Sequence, residues 1–165
     1  MKQLCMTGLV AVLAAAAVLP AAAANNNNVA IPLSGTVATA CTVADSATGA
    51  TTTFGDMTTG QSGTLVGTIT ETCNDKNGYK VTLSTANFSS GSPNFKGAGT
   101  STLVPYALTY NGTGLTWSAG TATITPSGTQ TGASGVAKQL KITFAGGFLA
   151  ADSYSDTITI TMASQ

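Results

Sequence analysis

The sequence contains no histidine and no arginine, and its 165 residues carry only six lysines and six acidic side chains. Without histidine, the Ser–His and Cys–His pairs that activate nucleophiles cannot form. Without arginine, the chain has no guanidinium clamp for phosphate, and its few lysines form no basic patch for nucleic acid. The composition therefore argues against an enzyme of ordinary acid–base chemistry. So little charge is typical of a subunit that packs into a larger assembly.

The few groups that could carry chemistry have simpler interpretations. Two of the acids could in principle form a glycosidase pair, but carboxylates are mostly solvated surface groups, and we expect that here. Asn74 and Asp75 favour a turn over a calcium site. Trp117 is either a sugar-binding platform or, more commonly, an aromatic at the core or its rim. We predict no catalytic residue, no metal and no cofactor. The six acids are Asp45, Asp56, Glu71, Asp75, Asp152 and Asp156.

The first 24 residues have the pattern of a secretory signal peptide. Lys2 provides a positive start, residues 9–19 are apolar, and Ala21–Ala24 supply a small-residue cleavage site. The apolar run is shorter than the ~20 residues that a membrane span needs. We predict cleavage after Ala24 and export of residues 25–165 as a single domain with an N-terminal extension.

Two of the three cysteines, Cys41 and Cys73, remain after that cleavage. In an exported chain a single cysteine pair predicts a disulfide, and the alternative is two buried free thiols. Two cysteines without histidine are too few soft ligands for a zinc site. We therefore predict a Cys41–Cys73 bond.

Residues 29–41 alternate between larger apolar side chains at odd positions and small or polar ones at even positions. This alternation predicts a half-buried β-strand. Fully extended, the run would reach about 43 Å, which is too long for one strand of a domain this size. The segment therefore bends, or its first half leaves its own domain. Pro32 and Gly35 are the candidate break points.

Further short strands are predicted along the rest of the chain, with Gly- and Asn-rich turns between them. They cover residues 51–54, 65–73, 79–84, 103–110, 122–125, 138–144 and 153–162. Asn77-Gly78 predicts a hairpin and Asn111-Gly112 a turn, while the Ser- and Gly-rich residues 88–99 predict a loop. No segment after residue 24 has sustained helical periodicity. The pattern indicates an all-β sandwich or barrel.

The order of these features resembles a known family. Ala40-Cys41-Thr42-Val43, then Tyr79-Lys-Val-Thr-Leu, then Val104-Pro-Tyr-Ala-Leu-Thr-Tyr110 and Trp117 are similar to bacterial chaperone–usher pilins. The closing motif Tyr154-Ser155-Asp156-Thr157 resembles that of the spore coat protein U-like family, which includes the archaic (Csu-type) pilins. Asp152-Ser153 departs from the glycine-centred residues that usually precede this motif.

The resemblance implies an incomplete immunoglobulin-like sandwich, spanning residues 37–165, whose missing strand comes from another subunit. A periplasmic chaperone and an outer-membrane usher would be its partners, and the product would be a surface pilus for adhesion and biofilm formation. Residues 25–36 would be the donor-strand extension, with Val29, Ile31 and Leu33 entering a neighbour's groove. Ile158, Ile160 and Met162 would line that groove from the last strand.

Several alternatives remain at this point. The chain could form a complete sandwich whose first strand is simply long. It could be a secreted lectin-like adhesin that binds through Trp117, or a structural protein of the spore coat. Pro32 removes one hydrogen-bond donor from the predicted donor strand, so the register of insertion is open.

Overall fold

The computed structural model describes residues 30–46, 52–126, 128 and 130–165. The predicted signal peptide and Val29 lie outside the described residues. The chain divides into two compact units, Met1–Thr36 and Val37–Gln165. Residues 30–36, the described part of the first unit, form no helix or strand, and the side chains of Ile31 and Leu33 are 76% and 91% exposed.

The described part of the second unit contains twelve β-strands and one 3-10 helix, Met57–Thr59. The strands are Cys41–Asp45 (β1), Gln61–Cys73 (β2), Tyr79–Thr85 (β3), Phe88–Ser89 (β4), Ser92–Gly97 (β5), Leu103–Pro105 (β6), Ala107–Tyr110 (β7), Thr113–Gly114 (β8), Thr121–Ile124 (β9), Val136–Phe144 (β10), Tyr154–Ser155 (β11) and Ile158–Ser164 (β12). All the strand pairings are antiparallel. The prediction of an all-β fold is confirmed.

Two main sheets enclose one hydrophobic core. The larger sheet has the order β1-β2-β10-β7-β8, and the smaller has the order β12-β3-β9. A third sheet joins β11, β5, β4 and β6. Strand alternation supplies the core, because every second side chain of a strand faces the opposite sheet. Thus Tyr79, Val81 and Leu83 of β3 are all buried, with Val81 and Leu83 at 0% exposure.

Phenylalanines dominate one end of this core. The rings of Phe95 and Phe144 make an edge-to-face contact with centroids 5.4 Å apart, and Phe54 packs against both. Phe95 also lies 4.7 Å from the ring of Tyr106. Edge-to-face contacts are a favoured aromatic geometry, and this cluster fixes the non-strand segment that carries Phe54.

The structure corrects several expectations about local structure. Residues 30–40 form no strand, and the first strand begins only at Cys41. Residues 52–54 are not a strand, and Thr51 lies outside the described residues. Residues 88–99, expected to form a loop, contain β4 and β5, whose Pro93 and Phe95 are buried.

The two glycine turns have different outcomes. Asn111-Gly112 is a tight turn with positive φ at both residues (50° and 83°), and it joins the hairpin β7–β8. Asn77-Gly78 is also a turn, with φ of 94° at Gly78, but the strands that it joins are not partners. The β2 strand belongs to the larger sheet and β3 to the smaller, so the turn carries the chain from one sheet to the other. The predicted hairpin there is wrong.

Candidate functional site

The two main sheets each leave one edge strand along the same side of the core: β1 for the larger sheet and β12 for the smaller. Cys41 pairs with Cys73, and a five-residue connection leads from Cys73 to Tyr79, which pairs with Ser164. The beginning of β1 and the end of β12 therefore lie at the same end of the molecule. It follows that β1 and β12 run in opposite directions.

An open cavity of about 420 Å³ lies between these two edges. Val43 and Asp45 line it from β1, and Ile158 and Ile160 line it from β12. Its floor consists of mostly apolar core residues, among them Phe54, Val66, Ile69, Phe95, Leu108 and Ile142. We call this cavity, with its two flanking edges, the cleft.

The backbone of both edges is turned toward the cleft. Directly before β12, Thr157 O accepts a hydrogen bond from Ala86 N, directly after β3, and in this register the odd-numbered residues of β12 use their main chain to bond β3. Because successive residues of a strand point their N–H and C=O groups to opposite sides, Ile158 and Ile160 direct theirs into the cleft.

The same argument applies to β1. Ala40 O accepts from Asn74 N, and Ser46 N donates to Thr68 O, so even-numbered residues bond β2. Val43 and Asp45 therefore direct their main-chain groups into the cleft. Unpaired main-chain groups along a strand edge are the groups through which a further strand could pair.

One end of the cleft is polar. Asp156, just before β12, accepts hydrogen bonds from the hydroxyls of Tyr106 and Thr85, each at 2.5 Å. It also accepts from the main-chain and side-chain nitrogens of Asn87, at 3.0 and 3.1 Å. Burial, and then the bond to Asp156, raises the pKa of Tyr106 above its usual value. This network ties the residue before β12 to the end of β3 and to the segment between β6 and β7, and it marks the Asp45 end of the cleft.

Residues 27–161 match the model of the spore coat protein U domain. The chain belongs to the spore coat protein U domain family. The match begins within the predicted extension and ends within β12, so it contains both the leading segment and the cleft. No match was found among curated proteins or among solved structures.

The residues singled out from the sequence of this spore coat protein U domain fall into separate places. Ile158 and Ile160 line the cleft, whereas Met162 is half-buried against the core and lies outside the cavity lining. Ile31 and Leu33 belong to the first unit and are exposed. The disulfide Cys41–Cys73 is present and joins β1 to β2 across directly paired residues.

The closing motif has distinct roles at each position. Tyr154 and Ser155 form β11, which pairs with β5, and Tyr154 donates to Ala150 O at 2.9 Å. Asp156 is the acceptor of the network described above. The main-chain oxygen of Thr157 accepts a hydrogen bond from Ala86 N, directly after β3.

One fully buried carboxylate was not expected from the sequence. Glu71 is 0% exposed and accepts hydrogen bonds from the hydroxyls of Tyr79 (2.7 Å) and Tyr110 (2.5 Å). Burial, and then the bond to Glu71, raises the pKa of both phenols. The expectation that all the acids are solvated is therefore wrong. The alternation of side chains along the strand could have revealed this burial, because Glu71 lies on the same strand face as Ile69 and Cys73.

Other candidate sites receive no support. The ring of Trp117 packs against the core and is half-buried, with its Nε1 enclosed, so it is not an open sugar platform. The described residues contain no cluster of three or more His, Cys, Asp or Glu suited to a metal ion. No helix within the described ranges has both the length and the apolar character to cross a membrane.

Proposed function

We propose that this spore coat protein U domain is a structural subunit of a chaperone–usher surface pilus, without enzymatic activity, exported through the periplasm for adhesion and biofilm formation. Its fold would be an immunoglobulin-like sandwich that lacks one strand. The observation that carries this proposal is the cleft, whose apolar floor lies between two edges with main-chain groups directed inward. The Cys41–Cys73 disulfide is in keeping with an exported protein.

The leading segment of another copy has the properties that the cleft requires. Its odd positions carry Val29, Ile31 and Leu33, and the last two side chains are largely exposed. Burying three such side chains contributes about 5–9 kcal/mol before ordering costs. Main-chain bonds to both β1 and β12 would add to this. Strand addition of this kind is the established mode of chaperone–pilin complementation.

Such an exchange would generate a fibre. The donor segment and the cleft are different surfaces of the same subunit, so the contact between copies is heterologous, and such contacts build open filaments when they do not close into a ring. Before assembly, a periplasmic chaperone would fill the cleft with a strand of its own. An outer-membrane usher would then exchange that strand for the donor segment of the next subunit.

Two variants separate the donor role from the acceptor role. Deletion of residues 25–33 removes the donor and leaves the cleft intact, whereas Ile160→Asp places a charge in the cleft and leaves the donor intact. We expect neither variant to polymerise alone and a mixture of the two to stop at a dimer, as measured by light scattering and size-exclusion chromatography. Ser34→Asp, on the opposite face of the donor segment, is the matched control and should polymerise.

The proposal fails if the deletion variant polymerises like the intact mature chain. It also fails if the intact mature chain stays a folded monomer after the chaperone has been removed. A monomer whose melting temperature is unchanged by a synthetic peptide of residues 25–37 would contradict the proposal as well.

A further inference from the structure

Another cavity lies between the two main sheets, on the side opposite the cleft. Its volume is about 560 Å³, within the range of small-molecule sites. It is lined in part by β8 and β9, which are the edge strands at the far ends of the two sheets from β1 and β12. We propose that this cavity, called the Glu71 pocket below, binds a short neutral saccharide. The strand residues that define it are Glu71, Tyr79, Tyr110, Thr113, Ile124 and Lys138.

A buried carboxylate lies at the base of the Glu71 pocket. Glu71 is 0% exposed, and the hydroxyls of Tyr79 and Tyr110 donate to its two oxygens. Each phenol oxygen keeps lone pairs that can accept a hydrogen bond from a ligand hydroxyl. Stability alone does not require a charge here, because buried ionic groups can often be replaced by apolar residues without loss. A few polar groups that converge on a cavity of this size are the mark of a binding site.

Strand register places Lys138 on the inner face of the larger sheet. It pairs directly with Ile69, whose side chain is buried in the core, and directly opposite residues of an antiparallel pair lie on the same face. Val136 pairs in the same way with Glu71, so Lys138 and Glu71 are diagonal neighbours on that face. Diagonal neighbours are within reach of a long side chain. The pocket therefore combines one ammonium with one carboxylate.

The charges that line the Glu71 pocket favour an uncharged ligand. Lys138 and Glu71 carry one positive and one negative charge, so neither a simple cation nor a simple anion gains a net attraction. Much of the other polar lining bears hydroxyl or amide groups, which match the donors and acceptors of a sugar. Leu115, Ala122 and Ile124 offer apolar contacts to the C–H groups of a sugar ring. This combination is why we assign a neutral saccharide and not an ion.

Thr113 provides a way to close the pocket without disturbing the core. It pairs with the buried Tyr110 in the hairpin β7–β8, so its side chain lies on the inner face, yet it is exposed. A larger side chain at this position would enter the mouth of the pocket. Thr159 of β12 is also an exposed strand threonine and is not part of the pocket lining, which makes it the matched control.

Calorimetric titration of the full mature chain tests the proposal. The neutral probes are glucose, galactose, mannose, N-acetylglucosamine, maltose and lactose at millimolar concentration, and glucosamine and glucuronic acid are the cationic and anionic counterparts of glucose. We expect at least one neutral probe to bind and both charged probes to bind more weakly than glucose. Thr113→Trp should abolish binding, and Thr159→Trp should leave the Kd unchanged.

A second pair of variants tests the role of the ammonium with a smaller change. Lys138→Met should raise the Kd of the neutral probe about tenfold, because a hydrogen bond from a charged donor is lost. Lys141 is also half-buried in β10 but lies on the opposite face, so Lys141→Met should leave the Kd unchanged. Circular dichroism of each variant verifies that the compared proteins are folded.

The outcomes that overturn the proposal are distinct. Binding that survives both Thr113→Trp and Lys138→Met would place the saccharide elsewhere on the molecule. Tighter binding of glucosamine or glucuronic acid than of glucose would overturn the ligand class. No binding of any neutral probe to the mature chain would show that the cavity holds only solvent. None of these results bears on the proposed pilus role, because the leading segment and the cleft are separate from the Glu71 pocket.

Discussion

The hydroxyl of Tyr106 lies 2.5 Å from Oδ2 of Asp156, although 50 residues separate them in the chain. Thr85 donates to the same oxygen, and Asn87 donates to the other one. One carboxylate thus holds together the start of β12, the end of β3 and the segment between β6 and β7. Its position at the mouth of the cleft makes it a structural anchor for the edge that an added strand would contact.

Replacing that carboxylate should destabilise the domain. Asp156→Asn keeps the shape but loses the charge-assisted bonds, which contribute about 1.5–3 kcal/mol each when the acceptor is ionised. We expect the free energy of unfolding, measured by urea denaturation, to fall by at least the contribution of one such bond, about 1.5–3 kcal/mol. Asp45→Asn, an exposed change at the same end of the cleft, should shift it by less than about 0.5 kcal/mol. Equal effects of the two changes would contradict the anchoring role.

The sequence predicted part of this site and could not predict the rest. Alternation along residues 153–162 placed Ile158 and Ile160 on one face, because a strand repeats every two residues regardless of tertiary context. The partners of Asp156 come from β3, its following turn and Tyr106. Their convergence depends on how two sheets pack, and no local pattern carries that information.

The errors in local structure have the same origin. Asn77-Gly78 has the chemistry of a hairpin turn, but the strands on either side belong to different sheets, which turn chemistry does not report. Residues 88–99 are rich in Ser and Gly, yet Phe95 packs on Phe144 and Tyr106 and thereby holds β5 in the core. In both cases tertiary packing decided a structure that local propensity left undetermined.

The buried cluster of Glu71 with Tyr79 and Tyr110 predicts alkaline unfolding. The pKa of each phenol is raised in the folded state, chiefly by burial and then by the bond to Glu71. A raised pKa means that the phenols stabilise the fold below their unfolded pKa of about 10 and lose that contribution as pH rises further. We expect the tyrosinate absorbance to increase and the circular dichroism signal to be lost over the same pH range, above about pH 10. Ionisation of these tyrosines in a still-folded protein would refute this.

Glu71→Gln tests the same cluster at neutral pH. Glutamine offers one carbonyl oxygen in place of two carboxylate oxygens, so one of the two phenol hydroxyls loses its acceptor. A buried donor left unsatisfied costs about 1–3 kcal/mol, and we expect the free energy of unfolding to fall by that much. Tyr79→Phe added to Glu71→Gln removes the orphaned hydroxyl and should cost little more. A fully additive double variant would show that the two residues are not coupled.

Asp152 predicts a loss of stability in acid. Its carboxylate accepts bonds from Thr100 N and Oγ1, both at 2.7 Å, and from Gly99 N. The bonds from Thr100 lower the pKa of Asp152 to about 2. A depressed pKa means that the carboxylate stabilises the fold above its unfolded pKa of about 3.9 and that this is lost as pH falls toward 2. The melting temperature of Asp152→Asn should depend less on pH across that window than that of the unsubstituted protein. If the melting temperatures of the two proteins fell in parallel as the pH is lowered, Asp152 would not be the cause of the acid destabilisation.

The Cys41–Cys73 disulfide should stabilise the domain and hold the edge of the cleft. It closes a loop of 32 residues, for which the chain-entropy model gives about 3–4 kcal/mol. It also joins the first residue of β1 to β2, and β1 is only five residues long, so the bond limits how far that edge can separate. Cys41→Ser/Cys73→Ser should lower the free energy of unfolding by about that amount and reduce the affinity for a peptide of residues 25–37. Reductant should reproduce both effects in the unsubstituted protein and leave the double serine variant unchanged. If the reduced protein kept its full stability, the pairing of β1 with β2 would be sufficient to hold β1 in place.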